Sequence, residues 1–194
     1  MEIHGNQWQT ILPEVLKGKY HLEDRMMLRA EHWRDGKMMG YWDVLNDVVV
    51  CRGKYVRPIH IKAMVDGYDL TNYVADGLIA ATPTGSTAYA MAAGGPILPP
   101  ELRNILIVPV APHLSVDHAI ILSEGATVRI MVYSSHDAVM SVDGHFPVEM
   151  LNNDYVEVRA ADNVVSYVRL QDPGYFYRNL MRYMEQNPAT SGMK

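Results

Sequence analysis

The sequence predicts a mainly β protein, built as an antiparallel sandwich with few helices. Three observations support this prediction: apolar and polar residues alternate through short runs, Asp-Gly pairs separate several of these runs, and helical spacing is confined to both ends and one central segment. Alternation with period two is typical of strands with one buried face, and Asp-Gly favours the tight turns of hairpins. About nine or ten short strands at this spacing predict a sandwich.

The first elements are a short helix and a hairpin. Apolar residues at helical spacing predict the helix: Trp8, Ile11, Leu12, Val15 and Leu16. Gly18 is a typical helix end, and Pro13 shortens or breaks the helix. Residues 21–33 and 38–51 then flank Asp35-Gly36 and are predicted as two paired strands.

Further strands follow the same pattern. Hairpins are predicted for 59–65 with 68–74 across Asp66-Gly67, for 138–142 with 145–150 across Asp143-Gly144, and for 155–159 with 164–170 around Asp162-Asn163. Residues 128–132 alternate as a single strand, and 105–108 form a short apolar run. These segments supply most of the expected sheet.

The C-terminal region predicts one more helix and a polar tail. Asp172-Pro173 combines a capping residue with a proline at the first helical position, and Phe176, Leu180 and Met184 recur every four residues. We therefore expect one domain over residues 1–186 and a flexible tail over 187–194.

Composition excludes several classes of protein. The chain has 194 residues, a net charge of −5 and 48% hydrophobic residues, so it has enough apolar content for one folded domain and lacks the basic surface of a nucleic-acid binder. A single cysteine, Cys51, cannot form an intrachain disulfide. With no long apolar run, we expect a cytoplasmic protein without a membrane segment.

The chemically informative segment runs from Asp76 to Pro96. A buried strand at 78–81 leads into a turn rich in hydroxyl groups, and a small-residue helix closed by Gly94-Gly95 follows. Hydroxyls and free backbone N–H groups at such a turn favour an anionic or hydroxylated ligand, and Gly85 would let the backbone approach it closely. The alternative interpretation is that Thr84 and Ser86 only cap a core helix.

Four ordered motifs resemble the NAD kinases. The turn Thr82-Pro83-Thr84-Gly85-Ser86-Thr87-Ala88-Tyr89 is similar to the nucleotide-binding segment of that family, and three other blocks fall in the family's order: Leu45-Asn46-Asp47, Pro112-His113 and Ser141-Val142-Asp143-Gly144. The resemblance extends over roughly residues 20–169. It implies the β-rich C-terminal domain of the NAD kinase fold.

The resemblance also implies an activity and a set of site residues. NAD kinases transfer a phosphate from ATP or polyphosphate, with Mg²⁺, to the 2′-hydroxyl of the adenosine ribose of NAD, which makes NADP. By this resemblance Asn46 contacts adenine, Asp47 contacts the ribose and Asp76 reaches a nucleotide across a subunit interface. The remaining residues implied to bind NAD are Thr84, Thr87, Ala88 and Tyr89, with His113 and Asp143 as further candidates.

One family motif is absent from these 194 residues. NAD kinases carry a Gly-Gly-Asp-Gly-Thr turn in an N-terminal domain, whose Asp is the catalytic residue, whereas the only Gly-Gly here is Gly94-Gly95, followed by proline. We therefore expect the NAD-binding portion of a longer enzyme, inactive alone, with no catalytic residue of its own and with homodimers or homotetramers implied by the family. The alternative is a catalytically silent nucleotide-binding or oligomerisation module.

Other chemistries fit the sequence poorly. Ser86 lacks the Gly-x-Ser-x-Gly setting of a hydrolase nucleophile. His113, His118, His136 and His145 match no standard ligand spacing, so no metal site is expected. Cys51 follows three valines and is expected to be an inert core residue.

Overall fold

The structure is a computed structural model that describes residues 7–113, 117–170 and 174–185, with side chains described as far as residue 180. Within these ranges there are three helices: α1 (Trp8–Leu16), α2 (Tyr89–Ala92) and α3 (Tyr175–Glu185). A single 3₁₀ turn, Gly85–Thr87, precedes α2. The predicted cap of α3 at 172–173 and the predicted tail at 187–194 lie outside the described residues.

The described strands number twelve. In chain order they are β1 (His21–Arg34), β2 (Lys37–Val44), β3 (Asp47–Arg52), β4 (Ile59–Val65), β5 (Tyr68–Ala75), β6 (Gly77–Ala81), β7 (Asn104–Val110), β8 (Ile120–Ser123), β9 (Val128–Val132), β10 (Ala138–Val142), β11 (Val148–Met150) and β12 (Tyr155–Arg169). They form two antiparallel sheets, in the orders β2-β1-β12-β9-β4-β5 and β11-β10-β3-β6-β7-β8. The mainly β prediction is confirmed.

The two sheets share one hydrophobic core. Fully buried apolar side chains of both sheets belong to a single cluster, among them Leu28, Ile61 and Ile130 from the first sheet and Val50, Leu78 and Ile105 from the second. Removal of this apolar surface from water is the main force that holds two such sheets together. The molecule is therefore a sandwich, as the alternation predicted.

Three of the predicted hairpins are present. Asp35-Gly36, Asp66-Gly67 and Asp143-Gly144 all have positive φ at both residues, from 46° to 82°. Two positive φ values are typical of the type I′ turn, whose twist matches paired strands. At the third hairpin the return strand β11 begins at Val148, three residues later than predicted.

The predicted strand over 38–51 is wrong, because it is two strands in different sheets. β2 ends at Val44 in the first sheet and β3 begins at Asp47 in the second, so the chain crosses from one sheet to the other at Leu45-Asn46. Hydrogen bonds from elsewhere in the chain fix this corner, as described below. No local pattern separates its apolar residues from those of a continuous strand.

The predicted hairpin around Asp162-Asn163 is also wrong. β12 runs unbroken from Tyr155 to Arg169 and pairs with β1 along nearly its whole length. A bulge between Met26 and Leu28 accommodates the extra residues of β12 near Asp162. A long partner strand therefore overrides the local turn preference of Asp-Asn.

A second, smaller core lies on the other face of the second sheet. Its buried members are Val49, Ile79, Ala81, Ala90, Leu98, Leu106 and Val108. Ser86, which is fully buried, donates to the Pro83 carbonyl (2.6 Å) and accepts from the Leu98 backbone N–H (2.9 Å). Its hydroxyl thus joins the turn before α2 to the segment that covers this sheet face. The alternative interpretation, that Thr84 and Ser86 cap a helix, is wrong, because neither the 3₁₀ turn nor α2 has a side-chain hydrogen bond at its N-cap.

Candidate functional site

The corner at Leu45–Asn46–Asp47 is organised by the side chain of Asp143. One carboxylate oxygen of Asp143 accepts from the Asn46 and Asp47 backbone N–H groups at 2.7 and 3.1 Å, and the other accepts from Leu45 at 2.8 Å. Hydrogen bonds to a charged acceptor are among the stronger ones in proteins. Asp143 therefore shapes the corner where the chain passes between the sheets, in addition to being a hairpin residue.

The turn at 82–89 packs directly against this corner. Thr82 donates its hydroxyl to the Leu45 carbonyl (2.6 Å) and its backbone N–H to the Asn46 carbonyl (2.9 Å). A Cβ added at Gly85 would lie 2.1 Å from the Asn46 carbonyl oxygen. The expectation that Gly85 leaves room for a ligand is corrected, because the backbone of Asn46 occupies that space.

A cavity of about 440 Å³ lies where the corner, the turn and β10 meet. Five of the predicted site residues line it: Asn46, Asp47, Ala88, Tyr89 and Asp143. They are 97 positions apart at the extremes, yet the crossing of the chain between the sheets brings them together. Volumes in this range are typical of small-molecule sites.

The carboxyl group of Asp47 is buried and has a raised pKa. Its side chain is only 6% exposed, and burial together with the nearby charge of Asp143 raises the pKa of Asp47 to about 6. A hydrogen bond from the backbone N–H of Tyr89 acts in the opposite direction. With a pKa near 6, this carboxyl group is still mostly charged and an acceptor at pH 7, and it takes up a proton as the pH falls through 6.

Tyr89 and Asn46 leave polar groups available to a ligand. The Tyr89 side chain is 44% exposed, and burial, with smaller effects of neighbouring acidic groups, raises the pKa of its hydroxyl. Both backbone groups of Asn46 are hydrogen-bonded, while no protein partner for its side-chain amide is found in the described part of the chain. The amide thus has a donor and an acceptor to offer the cavity.

The other predicted site residues lie outside the lining of this cavity. Thr84 accepts from Arg25 Nη1 at 3.1 Å, and Thr87 donates to the Thr84 carbonyl at 3.3 Å. Asp76 forms an ion pair with Arg52 at 3.1 Å, and the exposed His113 donates its backbone N–H to Val74 at 2.7 Å.

Four lining residues were not predicted: Val49, Cys51, Ser141 and Gly144. Strand periodicity could have found two of them, because Val49 and Cys51 share a strand face with Asp47. Ser141 lies opposite Val49 in the register of β3 and β10, which sequence patterns do not reveal. Burial raises the pKa of the Cys51 thiol, so this residue is a weak nucleophile.

The lining suits the neutral parts of a nucleotide better than its phosphates. It offers an amide, two carboxyl groups and an aromatic ring but no Lys, Arg or His side chain. Amides can read base edges, carboxylates can hold ribose hydroxyls and aromatic rings can stack on bases. The α2 helix has four residues, too few for an effective dipole at its N-terminus.

The described residues do not form a metal centre or a membrane span. No three His, Cys, Asp or Glu side chains come together as metal ligands within the described ranges. None of the helices in these ranges is long and apolar enough to cross a membrane.

Comparison with known proteins identifies relatives over most of the chain. The NAD kinase of Syntrophotalea carbinolica is 41% identical over 176 residues, covering 90% of this chain and 62% of the relative. That of Heliobacterium modesticaldum is 41% identical over 186 residues, covering 95% and 65%. The chain thus spans somewhat under two thirds of the length of these relatives.

Two solved structures share the fold of this chain. Yeast NADH kinase in complex with NADH superposes with a TM-score of 0.86 at 27% identity, over 94% of this chain and 54% of that one. An Archaeoglobus fulgidus NAD kinase in complex with ATP shares the fold, with a TM-score of 0.71 at 20% identity, over 92% and 66%.

A family model described as the ATP-NAD kinase C-terminal domain matches residues 45–170. This span contains the corner, the turn and the whole lining of the cavity. The predicted resemblance is confirmed, and the chain belongs to the NAD kinase family, of which it contains the C-terminal domain.

Proposed function

We propose that this chain is the NAD-binding portion of an NAD kinase and that the cavity holds the adenosine part of NAD. The observation that carries the proposal is the convergence of Asn46, Asp47 and Tyr89 on one cavity without a cationic side chain. Adenosine presents base edges, a flat ring and a ribose diol, and these three side chains complement each of them.

Each side chain has a distinct role in this proposal. The Asn46 amide hydrogen-bonds the adenine edge, and its backbone is fixed by Asp143 and Thr82. Asp47 accepts a hydrogen bond from a ribose hydroxyl. The ring of Tyr89 lies against the base, as its exposure at the cavity edge allows.

Phosphoryl transfer is proposed to need residues that these 194 lack. Such transfer depends on positioning and on neutralising phosphate charge, and the sequence holds no Gly-Gly-Asp-Gly-Thr turn. In the full enzyme, ATP or polyphosphate with Mg²⁺ would supply the phosphate, and the product would be NADP. We propose that the enzyme is a cytoplasmic homodimer or homotetramer in which Asp76 reaches a nucleotide across the subunit interface. Thr84, Thr87 and His113 are proposed as further NAD contacts outside the lining of this cavity.

The first test is calorimetric titration of the purified chain with NAD. We expect saturable binding that Asn46→Ala weakens about tenfold or more, since a buried hydrogen-bonding partner is lost. The control is Asn72→Ala, an exposed asparagine on β5 at the edge of the other sheet, which should bind as wild type. Equal binding by both variants would contradict the site assignment.

The second test addresses catalysis. The chain is incubated with NAD, ATP and Mg²⁺, and NADPH formation is followed with a coupled dehydrogenase. We expect binding without turnover, and turnover by this chain alone would refute the proposed need for other residues. A chain whose melting temperature does not change with NAD or NADP would instead be an oligomerisation module.

A further inference from the structure

A second cleft lies at the opposite end of β3 and β10 from the first cavity. It has a volume of about 460 Å³ and is formed by the segments that follow β3 and β9. Its lining consists of Arg57, Pro58, His60, Tyr133, Ser134, Ser135 and His136. None of these residues lines the first cavity.

The walls of this cleft are fixed by short contacts. The Gly53 backbone N–H donates to the Asp137 carbonyl at 2.6 Å, and a Cβ at Gly53 would lie 2.7 Å from the Asp137 Cβ. Tyr133 donates to the His60 carbonyl at 2.8 Å. These hydrogen bonds hold together the two segments that form the cleft.

Most side chains of the cleft can donate hydrogen bonds. Arg57 contributes a guanidinium group, for which no acidic partner is found within the described residues. Two imidazoles, of His60 and His136, also line it. Ser134, only 8% exposed, accepts from the His136 backbone N–H at 3.0 Å, which leaves its hydroxyl proton to donate.

The charge pattern is the reverse of that in the first cavity. No carboxylate lines the second cleft, although Asp137 is adjacent in sequence, whereas two carboxyl groups and no cation line the first. A guanidinium group binds phosphate and carboxylate through two parallel hydrogen bonds. The lining therefore favours an anionic ligand, and the volume exceeds what one phosphate needs.

We propose that this cleft binds a small organic or inorganic polyanion, one that carries at least two phosphate or carboxylate groups. The guanidinium group of Arg57 binds one anionic group through two parallel hydrogen bonds, and the serine hydroxyls and imidazoles of the same cleft bind the second. This site does not depend on the proposed NAD-binding function.

The test is calorimetric titration of the whole chain with pyrophosphate, and separately with citrate, in metal-free buffer. We expect saturable binding of at least one of them, which shows whether phosphate or carboxylate is preferred. Arg57→Ala should weaken binding about tenfold or more, as expected for a charge-assisted bidentate contact. The matched control is Lys54→Ala, which removes the same charge from an exposed position of the same segment outside the cleft.

Three results would overturn the proposal. The first is absence of saturable binding of both anions, and the second is an equal loss in Lys54→Ala and Arg57→Ala, which would indicate general charge attraction. The third is loss of pyrophosphate binding in Asn46→Ala, which would place the anion in the first cavity. Arg57→Ala should keep the NAD affinity and the melting temperature of the wild type. A negative result for the polyanion cleft would therefore leave the proposed NAD-binding function intact.

Discussion

Replacing Asp47 with asparagine should stabilise the fold at neutral pH. The folded protein raises the pKa of Asp47 from 3.8 to about 6. At 1.36 kcal/mol per pKa unit, the charged form of this side chain costs the folded state about 3 kcal/mol. Asparagine has nearly the same shape and can still accept from the Tyr89 backbone N–H, but it carries no charge. We expect Asp47→Asn to gain about 1–3 kcal/mol at pH 7.5.

The change of the stability gain with pH tests whether the charge of Asp47 causes it. Because the folded state binds this proton more tightly than the unfolded state, the penalty is small at pH 4, grows as the pH rises from about 4 to 6, and stays constant at higher pH. Urea unfolding of wild type and variant at pH 4 and pH 7.5 measures the difference. A gain that is equal at both pH values, or no gain at pH 7.5, would refute the reasoning. The same variant should bind NAD more weakly, since a ribose contact is altered.

Three other substitutions, two beside the site and one in the main core, test the packing, each by urea unfolding. Asp143→Ala removes the acceptor of three backbone N–H groups and should cost about 2–4 kcal/mol; a loss below about 0.5 kcal/mol would contradict the corner described above. Gly85→Ala forces a Cβ against the Asn46 carbonyl and should cost at least about 2 kcal/mol, whereas the control Gly125→Ala, with open space around its Cβ, should cost little. Tyr73→Phe removes a buried hydroxyl for which the described residues offer no hydrogen-bond partner and should gain about 1 kcal/mol; a loss of stability would show that this hydroxyl is satisfied.

Local patterns predicted the fold where turns and alternation are strong. The Asp-Gly turns at 35–36, 66–67 and 143–144 specify their own backbone geometry, so their hairpins could be read from the sequence. The break between β2 and β3 could not, because the atoms that impose it belong to Asp143 and Thr82, far along the chain. The continuity of β12 likewise depends on its pairing with β1.

The candidate site was predicted only in part, because contacts between residues distant in sequence also shape it. Motif resemblance indicated Asn46, Asp47 and Tyr89, and the structure brings them together around one cavity. The role of Gly85 was mistaken, because a sequence does not show whether a ligand or another backbone segment occupies the space beside a glycine. The cleft at Arg57 had no sequence signal, since its lining residues are separated by about 75 positions and match no motif.

The most direct test of the central claim is the calorimetric affinity of the chain for NAD, compared between wild type and Tyr89→Ala. A ring that stacks on adenine contributes about 1–3 kcal/mol, so the variant should bind roughly 5- to 150-fold more weakly. Tyr68→Ala, which changes an exposed tyrosine at a distant hairpin, should bind as wild type. Saturable wild-type binding with this selective loss is the predicted result, and unchanged affinity in Tyr89→Ala would contradict the account.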